Sequence, residues 1–144
     1  MPIQRDLLTF ARTRDVGALA TLKRDGRPQL SMVNFALDPA GPSVRMSLTG
    51  DRAKVANLRR DPRASLMVTS QDGWSYAVLE GEVRLSPEAR TEDDATVEEL
   101  VELYRTIRGG DHPDWDDYRR AMVADRRLVG TLAVTHSYGL VRGS

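Results

Sequence analysis

The chain has no cysteine, and only two histidines stand among its 144 residues. The lack of cysteine excludes disulfides, thiolate metal sites and cysteine nucleophiles. His112 and His136 lack the ligand spacing of a zinc or iron site, so we expect no metal. The sequence has no GxGxxG or GxxxxGK[ST] segment and no Ser-His-Asp arrangement that spacing supports. These absences argue against a hydrolase or an ATPase.

A long apolar run and a net charge are also missing. No stretch approaches the roughly 18 to 20 apolar residues that a membrane span requires. The start of the chain carries Arg5 and Asp6 where a signal peptide would be apolar. With 21 basic and 21 acidic residues, the chain lacks the basic excess of nucleic-acid-binding proteins. We expect a cytoplasmic protein with neither a membrane nor a nucleic-acid partner.

The composition that remains is that of a globular protein. The chain is 40% hydrophobic and 29% charged, and its length suits one domain, which we expect to span residues 1–144. Of the 21 basic residues, only Lys23 and Lys54 are lysines. This preference for arginine indicates a GC-rich genome and fits an actinobacterial source.

Alternating apolar residues and turn signals predict six strands and about four helices. The strands are expected from Val16 to Leu22 and over residues 28–37, 44–49, 64–69, 74–85 and 128–138, with bulges near Met32–Val33 and at Gly81. The helices are expected near residues 3–11, over 51–60 with Gly50 or Asp51 as N-cap, from a capping box at Thr96 and Glu99 to Gly109, and after an N-cap at Asp114.

Hairpin-linked strands form antiparallel sheets, and six of them close most economically into a small barrel. The expected fold is therefore mostly β with peripheral helices. A barrel of this size fills its interior with its own side chains, so a large ligand must bind outside the wall. A cleft between two subunits is the natural place.

The segment from Ser47 to Lys54 carries the strongest local signal for a ligand. It leads from a strand into the first turn of a helix, and it contains Arg52 and Lys54. Free amides and a partial positive charge at a helix N-terminus favour an anion, whereas cations in that turn oppose the helix dipole. A phosphate would relieve this conflict, with donors from Ser47 or Thr49 on the strand side. A solvated surface helix is the alternative.

An aromatic pair follows a predicted turn. Trp74 and Tyr76 share one face of a strand if the two-residue period holds. Such a pair can form the wall of a site for a planar ring system. Packing in the core or at an interface is the more common reason for aromatic residues at this spacing.

Several segments together resemble the pyridoxamine 5′-phosphate oxidase-like split β-barrels, and most closely their F420-binding actinobacterial branch. The similarity extends over nearly the whole chain. The matching segments are Leu19-Ala20-Thr21-Leu22, Asp25 to Ser31, Asp51 to Lys54, Asn57 to Ala64, Asp72 to Tyr76, and Asp116 to Arg119. Where close relatives often have an asparagine after the Gln-Leu-Ser segment, this chain has Met32.

The resemblance implies a six-stranded antiparallel FMN-binding split barrel that forms a homodimer, with the cofactor in a groove between the subunits. The residues that would hold the cofactor phosphate are Arg52, Ala53 and Lys54. The residues that would border its ring system are Pro28, Gln29, Ser31, Ser47 and Leu48. Trp74, Ser75 and Tyr76 would reach the ring from the partner subunit.

The implied activity is that of an F420-dependent oxidoreductase, which passes a hydride between the deazaflavin and a small unsaturated or conjugated organic substrate. Arg59 and Arg60 could meet a polyglutamate tail and favour F420. An FMN-binding oxidase or reductase of the pyridoxamine 5′-phosphate oxidase type is the first alternative. A non-catalytic module that binds a flavin, F420 or a tetrapyrrole is the second, because no catalytic acid can be named.

Overall fold

A computed structural model describes residues 3–142 of the chain. The six strands are β1 (Val16–Leu22), β2 (Pro28–Leu37), β3 (Ser43–Thr49), β4 (Arg63–Thr69), β5 (Tyr76–Leu85) and β6 (Arg127–Leu140). The four helices are α1 (Arg5–Arg12), α2 (Ala53–Arg60), α3 (Ala95–Arg108) and α4 (Trp115–Ala124). None of the helices in the described range is long and apolar enough to cross a membrane.

The strands form one closed barrel in the order β1-β2-β3-β6-β5-β4, and β1 pairs with both β2 and β4. Every neighbouring pair is antiparallel. The predicted mostly-β architecture, a six-stranded antiparallel barrel with peripheral helices, is thereby confirmed. The strand predicted over residues 28–37 has the same bounds in the structure.

Apolar side chains fill the barrel interior. Each of the following is no more than 1% exposed: Leu19, Phe35, Val44, Met46, Leu48, Leu66, Leu79, Leu128 and Leu132. Burial of one such side chain contributes roughly 1.5–3 kcal/mol to the free energy of unfolding. Helix α1 adds Ala11 to this core, and α2 adds Val55 and Leu58. With the interior filled, a ligand of any size must bind on the outer surface.

Strand β2 changes partner partway along its length. Residues 28–34 pair with β1, whereas residues 35–37 pair with β3. The first part of β2 is therefore not hydrogen-bonded to the end of β3, where Ser47 and Thr49 pair with β6 instead. This opening in the wall lies beside the start of α2.

The bulge expected near Met32–Val33 is absent, because β1 and β2 stay in continuous register from Val16 to Leu22. The expectation assumed that Leu30 and Met32 face the core, but both point outward and are 67% and 64% exposed. The bulge expected at Gly81 is confirmed by a register shift between Glu80 and Gly81. A Cβ at Gly81 would lie 1.8 Å from the carbonyl oxygen of Ala133, so only glycine fits there.

The termini of α3 and α4 follow the predicted chemistry with one exception. The N-cap of α3 is Asp94, whose carboxylate accepts a hydrogen bond from the backbone N–H of Val97. Thr96, the expected cap, is instead buried within the helix and donates from Oγ1 to the carbonyl of Pro87 at 2.9 Å. Gly109 ends α3 in the left-handed conformation, and Asp114 caps α4, both as predicted.

Candidate functional site

The predicted anion site lies where β3 leads into α2. The helix begins at Ala53, so its N-cap is Arg52 and not Gly50 or Asp51. Arg52 provides no side-chain acceptor, and the first turn contains no acidic residue. The first N–H groups of α2 therefore keep their partial positive charge uncompensated by the side chains of that turn, which is the arrangement that favours a bound anion.

Lys54, in this first turn, is half-buried beside two other cations. Its pKa is lowered from the usual value, first by burial and then by the positive charges of Arg127 and Arg52. Within residues 3–142, none of these three cations forms an ion pair with a carboxylate. A negative charge at this position would relieve both the burial cost and the mutual repulsion.

Arg127 is the member of this cluster that sequence reasoning missed. It is the direct cross-strand partner of Thr49, so the pairing of β3 with β6 carries it to the start of α2. One of its terminal nitrogens donates to Oγ of Ser47 at 3.4 Å, while its Nε is buried without a hydrogen-bond partner. Nothing local in the sequence distinguishes Arg127 from its neighbour Arg126. Only the strand register identifies it.

The residues expected to border the ring system on β2 differ in their exposure. Pro28 is exposed, and Gln29 is half-buried, with its Oε1 accepting a hydrogen bond from Thr21 at 3.2 Å. Oγ of Ser31 is buried without a partner. Gln29 and Ala53 line the same groove of about 640 Å³, so the structure brings this strand and the helix start together.

Ser47 and Leu48 differ in what they can offer to a ligand. Ser47 points outward beside Arg127, whereas the Leu48 side chain is only 1% exposed within the barrel core. Only the backbone of Leu48 is therefore available to a ring system outside the wall. The assignment of these two residues to a ring site stays a prediction.

Trp74, Ser75 and Tyr76 lie at the opposite end of the barrel from α2. Helix α2 precedes β4 and the turn that holds Trp74 follows it, and the 7 residues of β4 span roughly 20 Å. Strand β5 begins at Tyr76, so Trp74 stands in the turn and the two-residue period does not place it beside Tyr76. The indole is 68% exposed, whereas Ser75 is buried and accepts a hydrogen bond from the backbone N–H of Arg142.

A row of exposed apolar side chains crosses the outside of the barrel. Its large members are Leu30, Met32, Met67 and Tyr138, which are 67%, 64%, 42% and 44% exposed and which we call the outer apolar face. Met32 and Met67 both lie opposite Ala18, and Tyr138 continues the row through Val78. Contiguous exposed apolar surface of this kind marks an interaction site.

No three histidine, aspartate or glutamate side chains among the described residues are placed to share a metal ion.

The candidate site consists of two parts. One is the cluster of three cations at the β3–α2 junction, beside the opening in the barrel wall, which form no ion pair within the described residues. The other is an outer apolar face that the chain leaves exposed.

Comparison with known proteins defines the class. Residues 3–133 match the family described as Pyridoxamine 5'-phosphate oxidase. The chain belongs to this family, as the sequence resemblance predicted.

Solved structures share the fold. A protein described as an F420 reductase is 23% identical, with a TM-score of 0.71, and the match covers 94% of this chain and 98% of that one. A conserved hypothetical protein from Mycobacterium tuberculosis is 18% identical, with a TM-score of 0.72 and coverage of 100% and 92%. A heme binding protein from Mycobacterium smegmatis is 23% identical, with a TM-score of 0.65 and coverage of 94% and 52%. At these identities the similarity shows a common fold.

Proposed function

We propose that this protein is a homodimeric F420-dependent oxidoreductase that transfers a hydride between the deazaflavin and a small unsaturated or conjugated organic substrate. The cation cluster of Arg52, Lys54 and Arg127 at the β3–α2 junction carries the proposal. Family membership and the shared fold with an F420 reductase support it.

The chain's own residues fit a phosphate-bearing cofactor. A phosphate at the start of α2 would accept hydrogen bonds from the first N–H groups of the helix and from Lys54 and Arg52. The side chain of Ser31 lies on the same face of β2 as the buried Val33 and Phe35, so only its backbone is available to a ring outside the wall. Gln29 and Ala53 already share a groove, which gives the phosphate end and the ring end a common surface.

A second copy of the chain would complete the site. Association of two copies through the outer apolar face would bury its exposed apolar side chains and remove them from water. Because Trp74 lies at the far end of its own barrel, only a partner's Trp74 could approach the cation cluster. A groove between two subunits would then shield both sides of the cofactor from water.

The groove beside α2 favours F420 over FMN. It is lined by four basic side chains, namely Lys23, Arg24, Arg59 and Arg60. Arg59 is paired with Glu88 at 3.2 Å, and Arg60 donates to the carbonyl of Leu22 at 2.6 Å. The exposed Lys23 and Arg24 lie outside the ion pairs of the described residues, so they join Arg59 and Arg60 as cations for the acidic tail of F420.

In such a reaction the cofactor and the protein have separate roles. The bound deazaflavin supplies the hydride chemistry. The protein binds the phosphate through its cations, orients the ring along β2 and keeps water from the groove through the dimer contact. Among residues 3–142 no carboxylate pairs with the cation cluster, and neither histidine belongs to it, so we assign no residue the role of proton donor.

Titration with both cofactors tests the proposal. We expect the protein to change the fluorescence polarisation of F420 at lower protein concentration than that of FMN. Equal or reversed affinity would contradict the F420 assignment and favour the FMN-binding alternative. The Lys23→Ala and Arg24→Ala variants should weaken F420 binding more than FMN binding, because only F420 has the acidic tail.

Turnover separates an enzyme from a binding module. Reduced F420 is mixed with the protein and with quinones, tetrapyrroles or unsaturated lactones as acceptors, and its oxidation is followed by absorbance. An oxidation rate above that in buffer supports the oxidoreductase. Tight binding with no acceleration for any acceptor supports the non-catalytic module.

A further inference from the structure

A small pocket of about 150 Å³ lies between the outer surface of the barrel and the helices α3 and α4. Its polar lining comes from both layers, and its floor is apolar, with Leu100, Leu103 and Met122 among the lining residues. The polar lining residues are Asn34, Ser47, Tyr104, Arg108, Tyr118 and Arg127. No aspartate or glutamate is among the residues that line it.

Arg127 is the group in this pocket whose bonding is incomplete. The one hydrogen bond of its guanidinium group in the described structure, to Oγ of Ser47, is long at 3.4 Å, and its Nε is buried with no partner. Tyr118 does not satisfy it, since the phenol donates to the carbonyl of Leu100 at 3.0 Å and burial raises the pKa of Tyr118 to about 12. The phenol therefore stays neutral beside the guanidinium.

Other arginines of the chain show what Arg127 lacks. Arg126, its neighbour, donates from Nε to Glu88 at 2.7 Å, and Arg119 pairs with Glu98. Arg63 pairs with Asp61 at 2.8 Å. Each of these guanidinium groups has a carboxylate partner, whereas Arg127, which is half-buried like Arg119, has none in the described range. Desolvating a cation without a counter-charge is costly, so an anion here is favoured.

We propose that this pocket is an oxyanion site, in which Arg127, with Ser47 and Asn34, binds a phosphate or carboxylate group. The planar guanidinium can present two parallel N–H donors to two oxygens, and Nε is the donor now without a partner. At about 150 Å³ the pocket is smaller than the roughly 300–1,000 Å³ of sites for drug-sized molecules. It suits one anionic group and not a flavin ring.

The oxyanion can come from two sources. The charge of Arg127 acts on Lys54, so the pocket adjoins the proposed phosphate site and could hold the cofactor's own phosphate. That assignment rests on the proposed function. The other source is the acid group of a separate small molecule, which would occupy the pocket while the cofactor is bound. The existence of the oxyanion site depends on neither.

The Nε–H resonance of Arg127 in a nitrogen-15 spectrum is the direct readout. Inorganic phosphate or acetate is titrated into the cofactor-free full-length protein, and the resonance is assigned by its loss in Arg127→Lys. We expect one saturable shift for this resonance. Arg127→Gln should weaken phosphate binding by about tenfold, as lost charge-assisted bonds do. Arg126→Gln is the matched control, because Glu88 already neutralises that guanidinium.

Repeating the titration with the protein saturated by FMN distinguishes the sources. Loss of the phosphate-induced shift assigns the pocket to the cofactor phosphate, and an unchanged shift assigns it to a separate anion. An Arg127 resonance that does not move with phosphate or acetate overturns the proposal, as does equal weakening in Arg126→Gln. If Arg127→Gln does not fold, Ser47→Ala replaces it, with weaker phosphate binding expected. Because the first titration contains no cofactor, its failure is distinct from failure of the proposed function.

Discussion

Met32 and Met67 lie on either side of Ala18, each as its direct cross-strand partner, and both side chains project into solvent from the outside of the barrel. The small Ala18 side chain leaves the two thioethers as the prominent groups of this surface. Methionine adapts its shape to an opposing surface more easily than branched side chains do. This pair therefore forms a suitable centre for a self-association interface.

A charge at this centre should separate the subunits. We expect the natural chain to be a dimer by light scattering and Met67→Glu to be a monomer with an unchanged circular dichroism spectrum, because a buried carboxylate without a partner is costly. Met67→Leu, which keeps the volume and the apolar character, should stay dimeric. A natural chain that is monomeric at micromolar concentration would contradict the interface.

The two lysines of the chain provide a matched pair for testing the proposed phosphate site. Lys54 belongs to the cation cluster, whereas Lys23 is exposed at the turn between β1 and β2. Lys54→Ala should weaken FMN binding by roughly 10- to 100-fold, the value of one charge-assisted hydrogen bond, without unfolding the chain. Lys23→Ala should change FMN affinity little. Retained affinity in Lys54→Ala would place the phosphate elsewhere.

The lowered pKa of Lys54 predicts how cofactor affinity depends on pH. A bound phosphate favours the charged amine and so raises this pKa, which means that binding takes up a proton once the pH exceeds the pKa of the free protein. FMN affinity should fall as the pH rises through the lowered pKa of Lys54.

The Lys54→Arg variant is the control for this pH dependence, because a guanidinium keeps its charge throughout the alkaline range. Its FMN affinity, measured by fluorescence in the same buffers, should show no fall. A natural chain whose affinity is equally flat up to pH 10 or so would show that Lys54 does not contact the phosphate.

How far the sequence predicts this molecule depends on how local the determining interactions are. The strand from Pro28 to Leu37 and the turns around it were predictable because alternation and turn chemistry act over a few residues. The orientation of Leu30 and Met32 was not, since the expectation that apolar side chains face the core fails where a surface is apolar. Such positions can be recognised only after the register with β1 is known.

The residues of the candidate site also differ in whether a local sequence pattern could predict them. The cations at Arg52 and Lys54 stand two residues apart at a strand-to-helix junction, so a local pattern was enough to single them out. Arg127 joins them only through the pairing of β3 with β6, and Ser47 is 80 residues away from it in the chain. A local pattern does not distinguish Asp94 from Thr96 as the N-cap of α3, because both residue types cap helices and the two residues lie within one turn of each other.

The cap of α3 can be tested by stability. Asp94→Ala should lower the free energy of unfolding by about 1 kcal/mol, and Asp94→Asn should restore most of it. Burial alone would raise the pKa of Asp94. The hydrogen bonds that its carboxylate accepts from the backbone N–H groups of Arg90, Val97 and Thr91 outweigh this effect, so the pKa is lowered. The stabilisation is therefore present above the ordinary aspartate pKa and lost as the pH falls through the lowered value. Denaturant melts of the natural chain and Asp94→Ala should converge at low pH.

Mixing two defective subunits tests which subunit supplies Trp74 to the proposed cofactor site. Lys54→Ala and Trp74→Ala should each weaken FMN binding in their homodimers. If each site takes Lys54 from one chain and Trp74 from the other, a mixed dimer has one site with both defects and one site with neither. Differently tagged subunits allow the mixed dimer to be isolated.

We expect the mixed dimer to bind one FMN with the natural affinity, measured by fluorescence titration. A dimer of the natural chain with the double variant is the control, because each of its sites then carries one defect and neither recovers full affinity. If Trp74 acted on the cation cluster of its own chain, the two results would be exchanged, and the natural-double pair would hold the intact site. The roughly 20 Å span of β4 favours the first outcome.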